Sequence, residues 1–383
     1  MPIYLDNGAT SYPKPDEVCG AMIEYMTHNG ASPGRGNYAR AMDADKLVYE
    51  TRKALSKLLG APRPGQIIFT CNATESINMA LKGYLRPGDR VLTTGYEHNA
   101  VARPLKKLET ERGIRVELIP CAPDGTLDLS AMRSLLDGGT RLVAAAHGSN
   151  VIGCITPLGE VVGTAHERGV PVLADAAQTA GAYPIDAAAL QIDMLAFTGH
   201  KGLLGPTGTG GLYLREGVVL STLKEGGTGG MSLSPFPPDD PPDRYEAGTM
   251  NVAGIAGLRA AVSYLMGVGV DAVRRHEVEL TGILLDGLDS VPGLTYYGPR
   301  DTEDRLGLVS FNIEGRDPHK VSMSLDRDYG IMVRSGLHCA PSAHRLLGTA
   351  PVGAVRASLG YFSDREDVER LVRALKEISS RGE

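Results

Sequence analysis

The chain predicts an α/β protein, a large unit on a mostly parallel mixed sheet followed by a smaller C-terminal α+β unit. Three observations carry this reading. Between residues 60 and 200, short apolar runs alternate with helical signals, the pattern of a sheet covered by helices on both faces. Two of those runs, Val170-Pro171-Val172-Leu173-Ala174 and Met194-Leu195-Ala196-Phe197, lead into Asp175 and into Thr198-Gly199-His200-Lys201. Over 225–249 the composition turns to Gly, Pro and Asp, and a fresh helical pattern then opens a second unit.

Taken in order, residues 1–40 read as irregular, rich in Gly, Pro and Asn. A helix is expected over 43–59, with Leu47, Val48, Leu55, Leu58 and Leu59 on one face and Gly60 as its stop. Ile67-Ile68-Phe69 is a strand, and a helix opens near Thr74. Val91-Leu92 is a strand, and a helix follows His98. Strands at 114–119 and 142–146 bracket a helix at 129–136, and a helix over 159–168 leads to the Asp175 strand. Ligands of such sheets sit off the carboxyl ends of the strands, where Asp175 and Lys201 fall. A helix over 251–266 enters the second unit. The final helix is the clearest: Ser363 and Glu366 suggest a capping box, and Val368, Leu371, Val372, Leu375 and Ile378 form one apolar stripe. The expected domains are 15–258 and 259–383, with segment 1–14 returning to pack on the second.

At 383 residues, with 42% hydrophobic and 22% charged residues, the composition is that of an ordinary globular protein. A net charge of −6 leaves no basic footprint, so nucleic acid is not an expected partner. No apolar run reaches membrane-spanning length, so no membrane is expected either. Five cysteines, widely spread, suggest neither a disulfide framework nor metal spacing, and a cytoplasmic setting fits.

Lysine and aspartate at adjacent strand ends suit pyridoxal 5'-phosphate. The lysine forms a Schiff base, and the carboxylate keeps the pyridine nitrogen protonated so that the ring accepts electrons. The alternative is a loop lysine facing water. Thr74 opens a helix, so it either helps bind phosphate or caps the helix. His98 is either a ring-stacking or proton-shuttling imidazole or a polar loop residue. Gln178 lies at the mouth of the Asp175 strand, and Asn150 ends another strand at the same edge. Arg356 can clamp a carboxylate or hold a salt bridge. Cys339, flanked by His338 and near Arg334, sits in a positive field that favours thiolate, whereas Cys19, Cys121 and Cys154 read as buried apolar residues.

Together these residues resemble the cysteine desulfurase and selenocysteine lyase-like branch of the class V aminotransferases. The resemblance rests on Tyr4-Leu5-Asp6-Asn7-Gly8-Ala9-Thr10, Ala73-Thr74-Glu75, Glu97-His98, and His147-Gly148-Ser149-Asn150-Val151-Ile152-Gly153. It continues through Asp175-Ala176-Ala177-Gln178, Thr198 to Lys201, Glu246-Ala247-Gly248-Thr249-Met250-Asn251, Arg334 to Cys339, and Arg356-Ala357-Ser358-Leu359. It implies the fold type I of pyridoxal-phosphate-dependent transferases, with the cofactor on the large domain. It implies that Lys201 carries the cofactor, Asp175 pairs with its ring nitrogen, Gln178 bonds its phenolic oxygen and His98 stacks on it. Ala73, Thr74, Thr198 and His200 would surround the phosphate, and Thr249 would reach the phosphate of a second copy, in a homodimer with shared sites. Asn150 would reach the cofactor and help Arg356 hold the substrate carboxylate. Cys339 would take sulfur from L-cysteine as a persulfide, leave L-alanine, and pass the sulfur to an acceptor protein.

The sequence departs from the branch in places. Leu337 stands where a second histidine is common. The Arg35-Gly36 pair resembles a substrate-loop motif in which Tyr38 replaces a histidine. L-Selenocysteine is an alternative substrate, and a C–S lyase or aminotransferase is an alternative on the same scaffold. An idle relative serving as a partner subunit would be expected to have lost Lys201, Asp175, Arg356 or Cys339.

Overall fold

The computed structural model describes residues 2–34, 36–229 and 233–380. Its centre is a seven-stranded sheet in the order Ile67–Thr70, Gly210–Leu214, Met194–Thr198, Val172–Asp175, Thr140–Ala146, Arg90–Thr94, Arg115–Ile119. The five strands from Met194–Thr198 to Arg115–Ile119 run parallel, and Gly210–Leu214 is antiparallel to both of its neighbours. The expected mixed sheet is therefore present. Val172–Asp175 and Met194–Thr198 are buried along their whole length because helices cover both faces. One face packs on the helices Asp16–Glu24, Ala39–Leu58, Leu158–His166 and Val252–Val268, the other on Ala73–Tyr84 and Asn99–Arg112.

Most sequence-derived elements fall within a few residues of their expected places, and the exceptions have physical causes. Segment 1–40 is not irregular throughout: Asp16–Glu24 is a helix packed against Val252–Val268. Gly210–Leu214 is an interior strand to which the sequence reading assigned no element. A Cβ on Gly210 would lie 2.7 Å from the Asn72 Cα, and one on Gly211 would lie 2.8 Å from the Ile68 carbonyl oxygen. The glycines thus permit strand pairing that side chains would block. The last helix, Arg365–Ser380, buries its expected stripe, but the reciprocal cap sits one residue later. The Asp367 N–H donates to Asp364 Oδ1 at 2.9 Å and the Asp364 N–H to Asp367 Oδ2 at 3.2 Å, while Ser363 Oγ accepts from Gly360 at 3.1 Å.

The second unit holds a four-stranded antiparallel sheet in the order Arg334–Gly336, Ala354–Ser358, Leu308–Ile313, Leu294–Tyr296. Ile3–Tyr4 runs parallel to Ile331–Met332, and Ile3 and Leu5 join the same core as Val355 and Leu371. The 258/259 boundary falls inside the helix Val252–Val268, whose buried face belongs to the larger core. That helix meets Val270–Asp289 at a bend of 76°, at Gly269 with φ +87°. No single helix among the described residues is long and apolar enough to cross a membrane.

Candidate active site

Five strands deliver their carboxyl ends to one edge of the large sheet. The segments that follow Thr70, Thr94, Ala146, Asp175 and Thr198 converge on one pocket. Its walls bring together Ala73, Thr74, His98, Asn150, Asp175, Gln178, Thr198, His200 and Lys201, as expected from sequence. Thr249 does not join them. It is exposed and lines a separate cleft with Glu246 and Gly248. Arg35 lies outside the described residues.

Of the two charged residues at the centre, Asp175 is buried and Lys201 half-buried. Asp175 is 6% exposed, and its Oδ1 accepts from the Ala177 N–H at 2.9 Å. Burial raises its pKa, opposed by that hydrogen bond and by the nearby Lys201 cation. Burial lowers the Lys201 amine to about 8, an effect that the Asp175 charge opposes. An amine so placed reaches its neutral, nucleophilic form far more readily than a surface lysine.

The helix Ala73–Tyr84 points its first N–H groups at the cavity. Asn72, not Thr74, is its cap, accepting from the Glu75 N–H at 3.0 Å. That leaves the Thr74 hydroxyl and the early helix donors available to an anion. Across the cavity, His200 Nδ1 is buried without a hydrogen-bond partner. A buried imidazole nitrogen left unpartnered, in a pocket wall shared with a helix N-terminus and Thr198, fits a bound phosphate group. A half-buried Lys201 near the buried Asp175 carboxylate fits the ring of pyridoxal phosphate.

His98 caps the helix Asn99–Arg112, its Nδ1 accepting from the Ala100 N–H at 3.0 Å, which places its proton on Nε2. Burial first, then Lys201, Arg334 and Arg103, hold its pKa down to about 4, so the ring is neutral. Gln178 Nε2 donates to the Gly8 carbonyl at 3.0 Å. The Asn150 amide donates to the His338 carbonyl at 2.7 Å, so it anchors the Cys339 loop as well as facing the cavity.

Arg356 is 1% exposed. Its Nη2 meets Asp6 Oδ1 at 2.7 Å, its Nη1 donates to the Asn150 carbonyl at 3.0 Å, and its Nε has no partner. Arg334 lies directly opposite it across the antiparallel pair. Two like charges facing each other on neighbouring strands cost stability unless an anion joins them.

Cys339 is exposed, with Sγ 3.8 Å from Arg334 Nη2. Its backbone, like that of His338, lies in the left-handed region, φ +58° and +48°. Two such non-glycine residues in a row mark a strained turn of the kind found at functional sites. The turn is pinned by the Asn99 N–H, which donates to the Cys339 carbonyl at 2.7 Å. One expectation is corrected here. His338 contributes no positive charge, because burial and the Arg356 cation push its pKa down to about 2 and its ring faces His344. Of the two expected cations, only Arg334 stands beside the thiol. Among the other cysteines, Cys154 is buried as expected, whereas Cys19 is exposed and Cys121 only half-buried.

Two carboxylates stand out that the sequence reading named only within motifs. Asp6 was noted only within a motif, and it pairs with a residue 350 positions away. Glu97 is 2% exposed, with Oε1 accepting from Thr94 Oγ1 at 2.7 Å and from the Ala146 N–H at 2.9 Å, and with Oε2 unpartnered. Burial raises its pKa to about 7. Among the described residues, no group of three or more His, Cys, Asp or Glu is arranged to hold a metal ion.

Comparisons with known proteins agree with this geometry. Residues 3–371 match the family model of aminotransferase class-V. A probable cysteine desulfurase of Methanothermobacter thermautotrophicus is 36% identical over 99% of this chain and 95% of its own length. A cysteine desulfurase of Escherichia coli K12 is 37% identical over 98% of this chain and 93% of its own. Among solved structures, the apo cysteine desulfurase of Thermococcus onnurineus superposes with a TM-score of 0.89 at 37% identity, covering 99% of this chain and 94% of that one. The Escherichia coli cysteine desulfurase CsdA in an S-sulfonic acid form gives 0.89 at 31% identity, covering 98% and 94%.

Proposed function

The chain belongs to the aminotransferase class-V family, among the cysteine desulfurases, and from that premise we propose that it removes sulfur from L-cysteine and carries it as a persulfide on Cys339. The observation that carries the reading is one cavity holding the Asp175–Lys201 pair, with the loop of an exposed cysteine tied to its wall by Asn150 and Asn99.

Bound pyridoxal 5'-phosphate supplies a sink for the electrons released when the substrate Cα–H bond breaks. Lys201 would hold it covalently, with Asp175 at its ring nitrogen, Gln178 at its phenolic oxygen and His98 against the ring. Ala73, Thr74, Thr198 and His200 would hold its phosphate. Arg356 takes the substrate α-carboxylate, using donors that Asp6 and Asn150 leave open. Lys201, neutral above about pH 8, takes the Cα proton. Cys339 thiolate then attacks the substrate sulfur: the S–S bond forms as the Cβ–S bond breaks, Cβ gains a proton, and Lys201 returns a proton to Cα to give L-alanine. The two electrons lost as the sulfurs reach the persulfide level are gained by the substrate carbon as Cβ–S becomes Cβ–H, so no outside oxidant is needed.

The working unit in this reading is a homodimer in which Thr249 serves the site of the second copy. Its exposure away from the Lys201 cavity supports this, as do the exposed Ile23, Met26, Met42 and Tyr49, apolar surface for a partner to cover. Five cysteines without a disulfide suit the reducing cytoplasm. The test is product analysis with L-cysteine and a thiol reductant. Alanine and sulfide should form in equal amounts in the parent and be nearly absent in Cys339→Ala. Full activity of that variant, or pyruvate in place of alanine, would replace this reading with a direct C–S lyase.

A further inference from the structure

We propose that the groove between the helices Ala73–Tyr84 and Asn99–Arg112 docks a carboxylate-rich peptide segment bearing the thiol that accepts sulfur from Cys339. The proposal rests on the reading of Cys339 as persulfide carrier.

The groove begins at Cys339 and His98 and is walled by two rows of side chains at helical spacing. Thr74, Asn78 and Lys82 form one row, and Asn99, Arg103 and Lys107 form the other. Residues four apart share a helix face, so each row is continuous. Eight residues of helix rise about 12 Å, the reach of roughly four extended residues. L-Cysteine is too small to use such a length, and its carboxylate already has Arg356.

The charge of the groove is unlike that of the chain. The whole carries −6, yet the groove presents Lys82, Arg103 and Lys107, with Arg334 at its head beside the thiol. Among the described residues no carboxylate pairs with Lys82, Arg103 or Arg334. Lys107 makes only a loose 3.6 Å contact with Glu111, both side chains being more than half exposed. Arg103 and Lys107 are four apart on one helix, an arrangement that repels. Both helices also start at the active site, so their positive dipole ends add to the field around Cys339. Clefts lined by one sign of charge raise the local concentration of partners of the other sign.

The transfer balances without a further reagent. The acceptor thiolate attacks the outer sulfur of the Cys339 persulfide, the S–S bond to Cys339 breaks, and Cys339 leaves as thiolate. The acceptor departs as the persulfide, and the proton lost by its thiol returns to Cys339.

The test uses the holoenzyme and three short peptides, each with one cysteine flanked by Glu, Gln or Lys. Fluorescent serine versions report affinity, and mass spectrometry reports sulfur transfer. At low salt the Glu peptide should bind and accept sulfur roughly tenfold better than the Gln peptide, and high salt should erase the difference. In the double variant Arg103→Glu with Lys107→Glu the preference should invert toward the Lys peptide, a gain that misfolding cannot imitate. Equal affinity of the Glu and Gln peptides at low salt, or a preference surviving in the double variant, would overturn the proposal. If Cys339 gains no sulfur from L-cysteine, the proposed function fails, and the serine peptides still decide whether the groove binds acidic segments.

Discussion

Replacing Asp6 with alanine separates two roles of its contact with Arg356. The pair is close, 2.7 Å, with Arg356 1% and Asp6 22% exposed. Breaking a fully buried pair costs about 3–5 kcal/mol, and the partial exposure of Asp6 reduces this to about 2–3 kcal/mol. Unfolding entropy of roughly 2.1 cal/mol/K per residue over 383 residues amounts to about 0.8 kcal/mol/K, so the melting temperature should fall by only about 3 °C. The larger effect should be on substrate. Without Asp6 the guanidinium keeps only its bond to the Asn150 carbonyl and can turn away from the incoming carboxylate. Losing one charged hydrogen bond's worth of orientation, about 1.5 kcal/mol, raises KM for L-cysteine about tenfold with a smaller change in kcat. The assay is alanine formation across cysteine concentrations, alongside thermal melts of the holoenzyme. A melting temperature lowered by about 3 °C with KM unchanged would reduce Asp6 to a structural tie. A lowered KM would show that Asp6 competes with substrate for the arginine.

Three further outcomes are expected. Cofactor loading of the apoprotein, followed by visible absorbance, should rise through about pH 8, where Lys201 loses its proton, and a rise centred near 10 would contradict the burial argument. Because the folded chain binds fewer protons than the unfolded chain between about 8 and 10.5, Lys201 should also make the apoprotein more stable as pH climbs through that window. Glu97→Gln keeps an acceptor for Thr94 and Ala146, so it should fold. Glu97 binds more protons folded than unfolded between 4.5 and about 7, which lowers stability as pH rises, so the variant should gain a melting advantage at pH 8 that is absent at pH 4. Lys201→Ala and Thr249→Asp should each be inactive alone, and mixing the two after subunit exchange should restore activity, because one site of the mixed dimer is intact. Failure of exchanged mixtures to recover would place Thr249 outside the shared site.

The parts of the site legible in sequence were those whose signal is local. Asp175 and Lys201 each follow a buried apolar run, and a run four or five residues long between turn signals already implies a polar residue at a strand mouth. Gly210–Leu214 was hidden because paired glycines look like a turn, and only the approach of Asn72 and Phe197 explains them. The helix Asp16–Glu24 was masked by flanking prolines and by weak amphipathicity, since Val18 alone among its side chains is fully buried. Asp6 illustrates a different limit. Nothing near it in sequence names its partner, which the fold supplies from the far end of the chain. His338 shows the reverse error, because a histidine beside a cysteine suggests a cation until burial removes the charge.

The pairing of Ile3–Tyr4 with Ile331–Met332 also governs the order in which the chain can finish folding. Ile3 and Tyr4 leave the ribosome well before Ile331 and Met332, and at roughly 5–20 residues per second that interval is about 16–65 s. The large sheet can form meanwhile, since its strands lie between Ile67 and Leu214. Arg356 meets Asp6 only after segments on either side of the large sheet's strands have come together, so this contact is completed later than that sheet can be. In the proposed reading, a nascent chain can therefore form the Lys201 pocket before it completes the Arg356 clamp.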